Sequence, residues 1–244
     1  MSTRHELRLC GLPTVRARFQ RDAGSIQRLF FDAPTGRKLG VMCKALAAAR
    51  KVYRCVEPAE LEKIAGTVHH GGVVAIVPGP LLRAPRADDL SRWAARRVPV
   101  LVLDRIGNAH NLGAIARTSA FFGLEHLVLP ADPAAAAPND AAYRVAEGGL
   151  EHLTLWRVPE ITPFLGQLRA VGYDVVGAAA RGGRLEERAT VAQALVLGNE
   201  EHGLAPEVAA ACTRLVTLPG SGRMESLNVS VAAGILIHAL WGRR

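Results

Sequence analysis

Residues 98–130 read VPVLVLDRIGNAHNLGAIARTSAFFGLEHLVLP. An apolar run over 98–103 gives way to a polar loop, then to a helical pattern over 111–122, then to a second apolar run over 126–129. Runs this apolar are typical of strands buried on both faces, and two of them joined by a helix form the crossover unit of a parallel sheet. The alternation continues downstream. Further strand candidates lie at 173–178, 194–197 and 214–218, with helical patterns at 161–171 and 226–241. The second part of the chain is therefore expected to be an α/β domain with an open, mostly parallel sheet.

Upstream, short apolar runs at 25–31 and 52–56 alternate with helical patterns at 39–50 and 58–64, and 71–77 reads as a buried strand. These make a small N-terminal α/β domain over 1–78. Residues 79–98 are rich in Pro and Arg, and Asp88 and Asp89 can open a short helix running to Arg97. This segment is either a linker or the first helix of the following domain, which occupies 99–244.

The net charge of +8 is unevenly distributed. Residues 1–98 carry 18 basic and 8 acidic side chains, a balance of +10, whereas 99–244 carry 12 and 14, a balance of −2. A basic surface of this kind suits a polyanion, because neutralising phosphates releases condensed counterions. GC-rich coding is the competing explanation, since 26 of the 30 basic residues are Arg. Cys10, Cys43, Cys55 and Cys212 show no C-x-x-C spacing and read as reduced core thiols, and no metal site is expected. No apolar run reaches the roughly 20 residues of a membrane span. Residues 1–9 lack the apolar core of a signal peptide, so a cytoplasmic protein is expected.

Ligands of open α/β sheets bind outside the carboxyl ends of the strands, and three loops there have unusual compositions. In the first, Asn111 is placed to cap the helix that follows, and Arg117 stands on an otherwise small, apolar helix. It is either a surface charge or a fork for phosphate or carboxylate. In the second, LGNEEHGL at 197–204, Gly198 and Gly203 flank Glu200 and Glu201. In the third, Ser226, Asn228 and Ser230 crowd the entrance of a long apolar helix, more polar groups than one cap requires.

These three segments, in this order, resemble the signature motifs of the SpoU (TrmH) RNA 2'-O-methyltransferases. Asn111, Gly113, Arg117, Phe122 and Gly123 match the first motif, Gly198, Glu200, Gly203 and Leu204 the second, and residues 226–232, SLNVSVA, the third. Ala109 and Gly220 depart from the usual Pro and Met. The resemblance implies a trefoil knot that binds S-adenosylmethionine, with Leu197, Gly198, Gly203, Leu218 and Leu227 around the cofactor. It also implies a homodimer. Asn111, Arg117, Glu200, Ser226 and Asn228 become the candidate catalytic residues, with Arg117 central. The N-terminal domain is similar to the family's ribosomal-protein-like substrate-binding module, with Arg16, Arg18 and Arg21 as candidate RNA phosphate contacts. The implied activity is methylation of a ribose 2'-hydroxyl of ribosomal or transfer RNA. A non-catalytic RNA-binding or assembly protein that keeps the fold is the main rival. A dinucleotide-dependent oxidoreductase is disfavoured because no G-x-G-x-x-G follows a first strand.

Overall fold

The computed structural model describes residues 5–183 and 191–242. The N-terminal domain contains β1 (Glu6–Cys10), α1 (Leu12–Asp22), β2 (Arg28–Phe31), α2 (Ala33–Gly36), α3 (Gly40–Ala48), β3 (Val52–Cys55), α4 (Pro58–Ala65) and β4 (Val73–Pro78). Its four strands lie in the order β1-β4-β2-β3, with only the β2–β3 pair parallel.

The rest of the chain runs through α5 (Ala87–Ala95), β5 (Val100–Leu103), α6 (Ala109–Phe121), β6 (His126–Pro130), α7 (Asp140–Ala146) and β7 (Thr154–Val158). It continues with α8 (Ile161–Ala170), β8 (Asp174–Ala178), β9 (Gln193–Leu197), α9 (Pro206–Ala211), β10 (Arg214–Val216) and α10 (Val229–Trp241). Six strands form one sheet in the order β10-β8-β9-β5-β6-β7, and every pair is parallel. The apolar strands β5, β6 and β9 are buried along their whole length, as their composition requires.

Strand order places the functional crevice. From β5 the chain builds outward through β6 to β7, then crosses to the other side for β8, β9 and β10. Direction therefore reverses between β5 and β9, which pair from Val100↔Ala194 to Leu103↔Leu197. The connections leaving these neighbouring strand ends diverge, and the gap between them is where such sheets bind ligands.

Residues 79–98 are stitched to the second domain. Leu90 and Trp93 of α5 are buried in the same core as Val100, Phe164 and Tyr173, and the Tyr173 hydroxyl donates to the Val98 carbonyl at 2.8 Å. Arg83 bridges to the edge strand β7 and lays its guanidinium over the Trp156 ring, 5.5 Å from the centroid. The domains also share a core, in which Leu7, Leu9 and Val15 belong to the same apolar cluster as Leu101, Ile115 and Tyr143.

Several expectations are corrected. The first motif's helix starts at Ala109, two residues early, and is capped by Asn108, whose side chain accepts from the His110 N–H. Asn111 therefore lies inside the helix and is not its cap. The last helix begins at Val229 and is capped by Asn228, which accepts from the Ser230 N–H at 2.9 Å. Cys55 is exposed and is no core thiol, while burial pushes the Cys10 and Cys212 thiols up to about 11. Strands β1 and β7 and helices α1, α2, α7 and α9 have no counterpart among the elements expected from the sequence. Among the described residues no helix is long and apolar enough to cross a membrane.

Candidate active site at the β5–β9 crevice

Asp104, directly after β5, is the anchor of the crevice. It is buried, and its Oδ2 accepts from the Ala205 N–H at 2.9 Å while its own N–H donates to the Leu197 carbonyl at 2.7 Å. The loops after β5 and β9 are thus tied together at their roots. Asp104 Oδ1 also accepts from Arg105 Nε at 3.0 Å, and this hydrogen bond raises the guanidinium pKa. A further tie comes from Asn199, whose amide donates to the Arg105 carbonyl at 2.8 Å and whose Oδ1 caps the N–H groups of Glu201 and His202.

Glu200 closes the structure. Its carboxylate accepts from the Gly107 N–H (3.0 Å), the Asn108 N–H (3.1 Å) and Asn111 Nδ2 (2.8 Å). Burial alone would raise its pKa, but the hydrogen bonds from Asn111, Gly107 and Asn108 outweigh burial and hold it below the ordinary carboxylate value. Asn111 then accepts from Asn228 Nδ2 at 3.2 Å, and Asn228 accepts from Ser230 Oγ at 2.6 Å. A continuous polar chain, Glu200–Asn111–Asn228–Ser230, joins all three motif segments.

Of the five candidate catalytic residues, three are therefore in direct contact: Asn111, Glu200 and Asn228. Ser226 is exposed on the loop two residues before Asn228. Arg117 stands apart. Six residues beyond Asn111 on α6, it is rotated by about two-thirds of a turn and makes an ion pair with Glu147 at 3.0 Å. Glu200 thus positions the first motif's loop and does not touch Arg117.

Of the expected cofactor residues, Leu197 ends β9, Gly198 and Gly203 lie in the loop that follows, and Leu218 and Leu227 lie between β10 and α10. Leu197 is buried, Leu218 half-buried and Leu227 half-exposed. Gly198 is obligatory, since a Cβ there would lie 2.2 Å from the Gly203 carbonyl carbon and 2.3 Å from the Leu204 N. Gly203 exchanges both backbone hydrogen bonds with Asn199, at 2.9 Å each, which folds the second motif into a tight loop. Residues 219–228 are exposed throughout. Among the described residues, the hydrogen bond found within 219–227 runs from the Arg223 N–H to Ser221 Oγ at 3.4 Å. Free backbone donors and acceptors beside apolar Leu218 and Leu227 are a chemically suitable lining for an adenosine-bearing cofactor.

The candidate RNA contacts divide. Arg16 is exposed on α1. Arg18 and Arg21 both bind the second domain, Arg18 with its side chain nearly buried and Arg21 through Nη1 alone. Arg18 places Nε and Nη2 at 3.0 and 2.8 Å from Glu151 Oε1. Arg21 donates to the carbonyls of Glu151 (2.7 Å) and Leu153 (3.0 Å). Sequence reasoning missed Asp104 and Glu151. A lone acid ending an apolar run was the available signal for Asp104; for Glu151 no local signal exists, because its partners are 130 residues away.

Known proteins resemble this chain in sequence and fold. The SpoU rRNA Methylase family matches residues 99–238, and the RNA 2'-O ribose methyltransferase substrate binding family matches residues 8–81. The 23S rRNA (guanosine-2'-O-)-methyltransferase RlmB of Nitrosomonas europaea is 32% identical over 237 residues, covering 96% of this chain and 90% of that protein. The uncharacterized tRNA/rRNA methyltransferase YfiF of Escherichia coli O157:H7 is 34% identical over 242 residues, covering 97% of this chain and 68% of that protein. The AdoMet-bound rRNA methyltransferase of Sinorhizobium meliloti shares the fold, with a TM-score of 0.73 at 23% identity over 96% of this chain and 86% of the other. The chain belongs to the SpoU rRNA methylase family and carries that family's RNA substrate-binding domain at its N-terminus.

Proposed function

We propose that this chain methylates a ribose 2'-hydroxyl of RNA at the β5–β9 crevice, with ribosomal RNA favoured over transfer RNA by the relatives' names and the N-terminal domain. The observation that carries this reading is the Glu200–Asn111–Asn228 chain of hydrogen bonds, which joins three remote motif segments where the strand order switches sides between β5 and β9. S-adenosylmethionine, when bound, supplies an electrophilic methyl group. The residues do the rest. Leu197, Gly198, Gly203, Leu218 and Leu227 hold the cofactor, Asn111 and Glu200 fix the loop beneath it, and Ser226 with Asn228 shapes the entrance. Arg117 orients the target ribose and its phosphate and stabilises the developing alkoxide while the hydroxyl proton passes to solvent. The described strand order and the path from β10 back to α10 suit the family's trefoil knot.

We further propose a homodimer, and the position of Arg117 gives it a purpose. Phe121 on α6 and Val231 and Ile235 on α10 are large, exposed apolar side chains on two helices that pack together. A second copy covering this face would let Arg117 of one copy complete the other's crevice. The division of labour follows 1–78 for RNA capture, 79–98 as connector and 99–244 for catalysis, in the cytoplasm where such RNA is found.

Methyl transfer from labelled S-adenosylmethionine to total RNA lacking this modification tests the scheme. Arg117→Ala should lower turnover at least about a hundredfold. Mixing it with Asn111→Ala, itself inactive, should restore about a quarter of normal activity, since half the dimers are mixed and each carries one intact composite site. Normal turnover by Arg117→Ala rules out its role, and no recovery on mixing rules out the composite site. Binding of RNA without any affinity for S-adenosylmethionine would point to a non-catalytic assembly factor.

A further inference from the structure

Helix α7 ends in an unusual way. Glu147, its C-terminal cap, has φ 45° and ψ 43°, the left-handed region in which Gly or Asn is usual at this place because a side chain is disfavoured. Glycines occupy the next two positions instead. Gly149 is pressed onto α6 directly at Arg117, and a Cβ there would lie 2.7 Å from the Arg117 Cα. Gly148 packs on α1, where a Cβ would meet that of Ala17 at 3.0 Å. Two residues on, Glu151 is gripped by Arg18. The turn is therefore clamped from both sides, and its strained residue is the one whose side chain reaches the Arg117 guanidinium, Oε2 to Nη2 at 3.0 Å.

Both partners of that pair are about half exposed, at 58% and 52%, beside a cleft of about 340 Å³ lined by Arg117, Phe121, Glu147 and His152. A pair so exposed contributes little to stability. It does occupy the guanidinium, and a carboxylate presents the same charge and acceptor geometry to Arg as a phosphate does.

We propose that Glu147 is a positioning residue that stands in for a substrate phosphate: in the RNA-free protein it holds Arg117 at the mouth of the cleft, and RNA binding exchanges its carboxylate for a backbone phosphate. This rests on the reading that Arg117 contacts RNA. Because the pair is solvent-exposed, the exchange is easy for a correctly placed phosphate. A misplaced phosphate gains nothing over the carboxylate already there, so Glu147 penalises poorly fitting RNA.

Binding of polyuridylate to the full chain, measured without cofactor, tests this. Glu147→Gln keeps the shape and removes the charge, and should tighten binding about threefold. In an Arg117→Ala background the same substitution should have no effect. Glu147→Gly guards against misfolding, since Gly relieves the left-handed backbone; it should bind like Glu147→Gln with an unlowered thermal midpoint. Unchanged or weaker binding by Glu147→Gln overturns the proposal, as does equal tightening with Arg117 absent, which would mark a general charge effect. The activity reading fails separately, if the unaltered chain transfers no methyl group, and Arg117's RNA contact fails if Arg117→Ala alone leaves polyuridylate binding intact.

Discussion

Glu200 and Glu151 each fasten together segments that are remote in sequence, yet by opposite physics. At the crevice, Glu200 stays partly solvated and takes hydrogen bonds on both oxygens from neutral donors, two backbone N–H groups and one amide. At the junction between domains, Glu151 is 4% exposed and faces cations, and Arg18 reaches Oε1 while Oε2 has no hydrogen bond. Burial accordingly pushes the Glu151 carboxyl up against the pull of Arg18 and Arg21, whereas at Glu200 the hydrogen bonds outweigh burial and bring the carboxyl down. The contrast separates two tasks. A neutral hydrogen-bonded cradle shapes a loop and leaves the crevice open to ligand. A half-satisfied buried ion pair adds little net stability but allows one docking geometry between the domains.

The largest expected effect breaks the junction. Glu151→Ala leaves the Arg18 guanidinium nearly buried without an acceptor, which should cost ~3 kcal/mol in urea-induced unfolding. Glu151→Gln keeps a carbonyl oxygen for Arg18 and should stay within about 1 kcal/mol of the unaltered protein. If the Gln variant loses as much as the Ala variant, charge pairing holds the junction and the contrast drawn above is wrong.

Most of the second domain could be read from sequence because its signals are local. Strands β5, β6 and β9 are short apolar runs that no other element fits, and the three motif segments fall at strand ends as sheet physics requires. Edge strand β7, TLWRV, escaped because two of its five side chains face solvent and its pattern alternates imperfectly. Helix α1 escaped because its buried residues are few and the face it docks also carries arginines. Thr14, Arg18 and Arg21 follow helical spacing, so the two arginines sit on the docked face while Arg16 points away. Spacing alone could have shown that these three arginines do not share a surface. The partner that neutralises Arg18 could not be foreseen, because Glu151 meets it only in three dimensions. The separation of Arg117 from Asn111 was legible in principle, since six residues on a helix put them on different faces.

An intermediate effect sharpens the contrast through pH. A carboxyl whose folded pKa is depressed contributes stability above its unfolded value of about 4.3, and this is lost as pH falls through the folded value. Glu200 is such a group, so the stability gap between the unaltered protein and Glu200→Gln should be full at neutral pH and close on acidification below about 4.3. Glu151, raised by burial, works in the opposite sense. Its charge is a burden above the raised value that acid relieves, so Glu151→Gln should gain relative to the unaltered protein as pH rises. Calorimetric midpoints over pH 3 to 7, a range set by these values, would show whether the two gaps move in opposite directions. Parallel movement would mean that both carboxylates feel the same environment.

The smallest expected effect concerns Arg16, exposed on α1. Arg18 and Arg21 hold Glu151 and its neighbours, whereas Arg16 is exposed, which makes it the first of the trio to test for a phosphate contact. One exposed contact is a modest fraction of an interface built on many, so Arg16→Ala should weaken ribosomal RNA binding only about two- to threefold near physiological salt. Its signature lies in the salt dependence, where losing one phosphate contact lowers the slope of log K against log salt by about one. Arg18→Ala should instead lower the unfolding midpoint and leave that slope near its original value, since Arg18 is nearly buried against Glu151. Should Arg18→Ala change the slope as Arg16→Ala does, the junction opens when RNA binds, and the module is a hinged arm and not a fixed one.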